Sequence, residues 1–142
     1  MRKSRTLIFT SLPVNARQTA HAYADFDAGD NEYLEATLLS FELDSTARNA
    51  LNSNSLIQLR SNLASTSFER FPDGSLQATD LFAIMYNQGG FAHHDDGAGV
   101  FKSPLAQRHL DRIDLRVCDS QGNVVATAGT FSCVIRIDLV SV

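Results

Sequence analysis

The sequence predicts an all-β fold, a β-sandwich or jelly roll of about eight short strands with one or two helical turns inserted. Three observations carry that expectation. Apolar residues recur with a period of two along most of the chain. Clusters of Gly, Pro, Asn and Asp break it at short intervals. Long helical segments between strands, which an α/β fold needs, are absent from the pattern. The last third is the clearest case. In Leu110–Asn123 the residues Ile113, Leu115 and Val117 point one way, and Asp114, Arg116 and Cys118 the other. Asp119–Asn123 supplies turn chemistry, and Phe131, Cys133, Ile135, Ile137 and Leu139 then share one face, so Leu110–Val142 reads as a β-hairpin.

Taken in order, Thr6–Val14 is a first strand ended by Pro13, behind a short basic N-terminal arm over residues 1–5 that holds Arg2, Lys3 and Arg5. Ala16–Asp25 has helical spacing at Ala16, Ala20, Tyr23 and Ala24, with Asn15 as cap. Tyr33–Leu43 is a long strand with Thr37, Leu39, Phe41 and Leu43 on one face, and Asp44-Ser45 caps a short helix through Leu51. Ser55–Leu63 places Ile57, Leu59 and Leu63 inward. Phe71–Gly74 is a turn, and Leu81–Tyr86, apolar on both faces, reads as a strand in the middle of a sandwich. Val100-Phe101 is a short strand, and Ser103-Pro104 opens a helical turn to His109. The expected core is Leu39, Phe41, Ile57, Leu59, Ile84, Ile113, Leu115, Val117, Phe131, Ile135 and Ile137, with the C-terminal strand central.

A chain of 142 residues is the size of one domain, and 44% hydrophobic with 20% charged residues fits one folded core. No apolar run approaches the ~18 residues of a membrane-spanning helix. The start of the chain resembles a stunted signal peptide, but Thr10, Ser11 and Pro13 interrupt its apolar run, so a first strand is the better reading. A net charge of −4 argues against binding along a nucleic-acid backbone. Cys118 and Cys133 fall on opposite sides of their strands, a placement that predicts two free thiols and suits a reducing compartment.

His93-His94-Asp95-Asp96 is the densest group of metal-capable side chains, yet neighbours on an extended chain point apart, so a polar loop is expected and no metal. Asp25–Glu32 has the acidity of a calcium loop with its glycine one position early, which predicts a solvated turn. Neither a nucleophile elbow nor a phosphate loop nor a zinc-protease helix motif occurs, and no positive sign of an enzyme or of a cofactor remains. Phe91 and Phe101, which flank the histidine loop, are most simply core anchors and are also candidate subunit contacts, with His93 and His94 between them and Arg2, Lys3 and Arg5 as a second candidate contact.

The run Ser103-Pro-Leu, Leu110-Asp-Arg-Ile-Asp-Leu-Arg-Val-Cys-Asp119, Gly122-Asn-Val-Val125 and Phe131-Ser-Cys-Val-Ile-Arg-Ile137 resembles the end of small single jelly-roll capsid proteins. These are the penton or minor capsid proteins of double-jelly-roll viruses, virophages and polinton-like elements. The resemblance covers about 35 residues and includes generic strand-and-turn chemistry. Ala126–Thr130 departs from it, because many relatives carry an Asp-Leu-Asn-Gly-like turn there. It implies a single jelly-roll domain over residues 1–142 and a structural protein of the virion. Such a protein acts as a homo-oligomer, a pentamer at a five-fold vertex, beside neighbouring major capsid proteins and in some cases under a spike protein, with no specific nucleic acid and no membrane span.

Two other classes compete with that reading. A carbohydrate- or ligand-binding sandwich is disfavoured by the absence of Trp and by only three Tyr. A cupin-like metal enzyme needs two or three histidines converging from different strands, and His21, His93, His94 and His109 lack that motif's spacing.

Overall fold

The computed structural model describes residues 3–21, 27–51, 56–64, 68–86 and 91–142. Its elements in chain order are β1 (Lys3–Pro13), β2 (Gln18–His21), β3 (Glu32–Leu43), α1 (Ser45–Ala50), β4 (Leu56–Ser61), β5 (Phe68–Arg70), β6 (Leu76–Ala78), β7 (Leu81–Tyr86), β8 (Ala92–His94), β9 (Lys102–Pro104), β10 (Arg112–Cys118) and β11 (Thr130–Ser141). Sheet I runs β1-β11-β3-β8, with β9 also paired to β3, and sheet II runs β2-β10-β4-β7. Every pairing is antiparallel. The strands before and after β4–β7 alternate between the sheets, β8 and β9 together acting as one interrupted strand. That order is a single jelly roll.

The core lies between the two inner faces. Sheet I contributes Leu34, Ala36, Leu38, Phe41, Phe131, Cys133, Ile135 and Ile137, and sheet II contributes Ile57, Leu59, Ala83, Met85, Ile113, Leu115 and Val117, all buried. Phe41 and Phe131 stack across β3 and β11 with ring centroids 5.8 Å apart. β11 is paired along its length by β1 on one side and β3 on the other, so the C-terminal strand is central as expected.

Several expectations are corrected. β10 and β11 do not form a hairpin: β10 belongs to sheet II and β11 to sheet I, and the chain between them crosses the end of the sandwich over buried Val125. Leu39 is only half-buried, because the pairing with β11 shifts between Val134 and Ile135, and this bulge moves the inward phase from Leu38 to Phe41. Ile84 pairs with Gln58 on the outer face of sheet II, and β7 is an edge strand rather than a middle one. The helix expected over Ala16–Asp25 is a strand at Gln18–His21, where pairing with β10 and a bond from Thr19 Oγ1 to Asp114 Oδ1 (2.9 Å) override local helical spacing; residues 22–26 lie outside the described residues.

Val100 and Phe101 sit in a turn, and Ser103-Pro104 continues as β9 against Ala36 and Glu35 instead of opening a helix. Pro104 is tolerated there because β9 is at the sheet edge. The short helix is where the sequence put it: Asp44 caps α1, its side chain accepting from Ala47 N at 2.8 Å. Cys133 and Cys118 are both free and both buried. Cys118 lies, as its strand phase predicts, on the outer face of sheet II, opposite Gln58, but the Asp119–Asn123 turn folds back over it through a bridge to Val124.

Candidate functional site

The two groups of residues marked by the sequence fall on opposite edges of sheet I. β1 forms one edge, and β8 with β9 forms the other, with β11 and β3 between them. Lys3 and Arg5 are not a free arm: they stand at the start of β1, paired with Leu139 and Ile137 of β11. Arg2 lies outside the described residues. Halfway along β1 the side chain of Ile8 is 72% exposed.

At the opposite edge Phe91 is a core residue, 1% exposed, whose carbonyl accepts from Leu43 N. His93 pairs with Phe41, is half-buried, and meets Phe101 edge-on at 4.7 Å between ring centroids, whereas His94 pairs with Ser40 and is exposed. The segment after them is not slack. Asp95 N donates to Leu39 O, and the Asp95 carboxylate accepts from the N–H groups of Gly97, Gly99 and Val100. Burial raises the Asp95 pKa, but these backbone donors outweigh it and hold the carboxyl below its usual range. Gly97 and Gly99 are there for their positive φ of 108° and 66°. Val100 projects from this turn, 64% exposed. A cross-strand row, Ile8–Val134–Ser40–His94, joins one edge of the sheet to the other along its outer face.

Sheet II carries a different feature that the sequence reading missed. On its outer face a groove of about 980 Å³ is lined by Gln58, Arg60 and Arg116 at its floor, by Arg70, Phe71 and Pro72 of the β5–β6 hairpin on one side, and by Ser120–Asn123 on the other. Arg60 and Arg116 are direct cross-strand partners, a repulsive pairing. Two carboxylates resolve it. Arg60 Nη1 donates to Asp80 at 2.6 Å and to Glu69 at 3.1 Å, its Nη2 donates to Glu69 at 3.0 Å, and its Nε donates to Gln58 at 2.9 Å. Arg116 pairs with the second oxygen of Asp80.

Burial opposes the charge on Arg60, yet the bonds to Glu69 and Asp80 push its pKa further up, and the bond from Arg60 holds the Glu69 carboxyl below its usual range. This network clamps the β5–β6 hairpin to the sheet. A sequence signal existed, since Gln58, Arg60 and Arg116 occupy outward phases of two strands with apolar inward faces. Their carboxylate partners, at positions 69 and 80, are set by tertiary packing and carry no local signal.

The histidines are scattered. His21 is in sheet II, His93 and His94 are at the edge of sheet I, and exposed His109 is paired with Asp27 at one end of the sandwich. Among the described residues no three His, Cys, Asp or Glu side chains are placed to hold a metal ion. Asp25, the first residue of the acidic Asp25–Glu32 segment, lies outside the described residues. No helix among the described residues is long and apolar enough to cross a membrane. No protein-family model and no curated protein matches this sequence.

Proposed function

We propose that this chain is a structural protein of a viral particle, a penton or minor capsid jelly roll that works by assembling into a ring of identical subunits. The observation that supports it best is the placement of two contact candidates on opposite edges of one sheet. An edge strand with open N–H and C=O groups invites pairing, and a head-to-tail contact between unlike edges closes into a ring when the rotation between subunits allows. Among the described residues Ile8 on β1 and Val100 in the turn between β8 and β9 also put a large apolar side chain into solvent at each edge. The resemblance of Ser103–Ile137 to small capsid jelly rolls supports a five-fold ring surrounded by major capsid proteins, with a spike protein as a further partner. Neither catalysis nor a cofactor is part of this reading.

Mass photometry and negative-stain imaging of the purified chain test it. The expected result is a discrete ring, five subunits in the leading case, and the presence of the chain in purified particles at far lower copy number than the major capsid protein. A chain that stays monomeric up to its solubility limit and is missing from particles overturns the proposal.

A further inference from the structure

We infer that the groove on the outer face of sheet II binds an acidic saccharide, a sugar chain carrying carboxylates. Three guanidinium groups line it against two carboxylates, and both carboxylates are engaged by Arg60 and Arg116. The floor is a built one: the Arg60 side chain is only 8% exposed and is fixed by four hydrogen bonds, and Gln58 is fixed between Arg60 Nε and Ser120 O. A fixed floor costs a ligand little in ordering. Arg70, exposed at the rim, makes no hydrogen bond or ion pair among the described residues, and Arg116 uses one nitrogen on Asp80. Their remaining N–H groups suit a carboxylate, which arginine grips in a fork.

The two walls argue for a sugar as the bearer of that charge. On one side Ser120, Gln121 and Asn123 offer hydroxyl and amide groups that both donate and accept, as ring hydroxyls require. Their backbone is held rigid, because Asp119 accepts from the N–H groups of Gln121 and Asn123 and its carbonyl accepts from Gly122 N. On the other side Phe71 and Pro72 line the groove and supply the apolar surface against which the apolar face of a pyranose packs. An acidic peptide strand would instead seek an open sheet edge for its backbone, and the groove is floored by the internal strands β4 and β10.

Titration calorimetry and amide chemical-shift mapping of the full chain with tetragalacturonate, a hyaluronan tetrasaccharide and sialyllactose test this. At least one should bind, with shifts centred on Phe71 and Gly122–Asn123, and should weaken as salt is raised. The matching sugar with its carboxylates reduced to alcohols should bind about tenfold or more weakly, and Arg70→Ala should produce a loss of similar size with unchanged thermal unfolding. Asn123→Ala gives an independent check on the opposite wall and should also weaken binding. Failure of all three sugars, equal binding of a polyglutamate peptide, or full binding by Arg70→Ala overturns the inference. The ring proposed above rests on sheet I and stands or falls separately.

Discussion

Arg60 makes its four hydrogen bonds from a strand position whose neighbours Ile57 and Leu59 are wholly buried on the other face. Removing it leaves Glu69 and Asp80 beside each other without their shared cation. Both carboxylates retain some solvent, so Arg60→Ala should destabilise the chain by about 2–3 kcal/mol rather than the full cost of an isolated buried charge, as read by urea unfolding. The pH dependence has a definite sign. Glu69 is held below its ordinary value of about 4.5 in the folded chain, chiefly by the hydrogen bond from Arg60. Its contribution is therefore complete above about pH 4.5 and is lost as the pH falls through the lower folded value. In Arg60→Ala that acid loss should shrink. The thiols give a second check at this scale. Burial raises the Cys118 pKa and pushes that of Cys133 up to about 12, so native protein at pH 8 should react slowly with a thiol reagent and denatured protein should return two thiols. A count of zero after denaturation without reductant would mean a disulfide and refute the assigned faces.

At the scale of elements, α1 is locked to β11 by two devices. Asp44 accepts from Ala47 N and from Thr130 Oγ1, while its own N–H donates to Thr130 O. Gly129, at φ 118°, packs so tightly on the helix that an added Cβ would lie 2.6 Å from Ala47 Cβ and 2.7 Å from its nitrogen. Gly129→Ala should thus cost at least about 2 kcal/mol, and Asp44→Ala about 1 kcal/mol, in the same unfolding measurement. The cap was legible because Asp-Ser before a short run is local chemistry. Strand phase was legible wherever the ladder is regular, as along β10 and β11. It failed where one extra residue enters, at Leu39 in β3, since a bulge reverses every face beyond it and leaves no mark in a single sequence; along β7, apolar on both faces, the sequence offers no phase to read, and Ile84 falls on the outer one. The helical readings of Ala16–Asp25 and Ser103–His109 failed for another reason. Short segments have weak intrinsic preferences, and β10 and β3 offered them ladders. Which sheet a strand joins is a question of tertiary packing, and so β10 and β11 read as neighbours when they are not.

For the whole molecule, the proposed separation of labour between the sheets is the testable point: assembly would use the two unlike edges of sheet I, and ligand binding the groove of sheet II. A double substitution of His93 and His94 would mix two effects, because His93 packs on Phe101 and supports the edge, whereas His94 is exposed. His93→Ala should lower the chain's own stability by about 1 kcal/mol. His94→Ala should leave it unchanged and act only on assembly. The cleaner probes are Ile8→Lys and Val100→Lys. Both side chains are mostly exposed, at 72% and 64%, so the substitutions should change folding stability by less than about 0.5 kcal/mol. A lysine at Ile8 blunts pairing along the β1 edge strand, and one at Val100 puts a charge on the exposed turn between β8 and β9; in a head-to-tail ring each subunit offers both edges, so either substitution alone should convert the ring to monomers. Mixing the two variants gives the decisive outcome. In a head-to-tail contact each variant keeps one intact edge, so the mixture should form heterodimers, Val100→Lys offering its β1 edge to the β8–β9 edge of Ile8→Lys, and should stop there. Rings that survive both substitutions, or a mixture that gives only monomers, would show that subunits meet through some other surface.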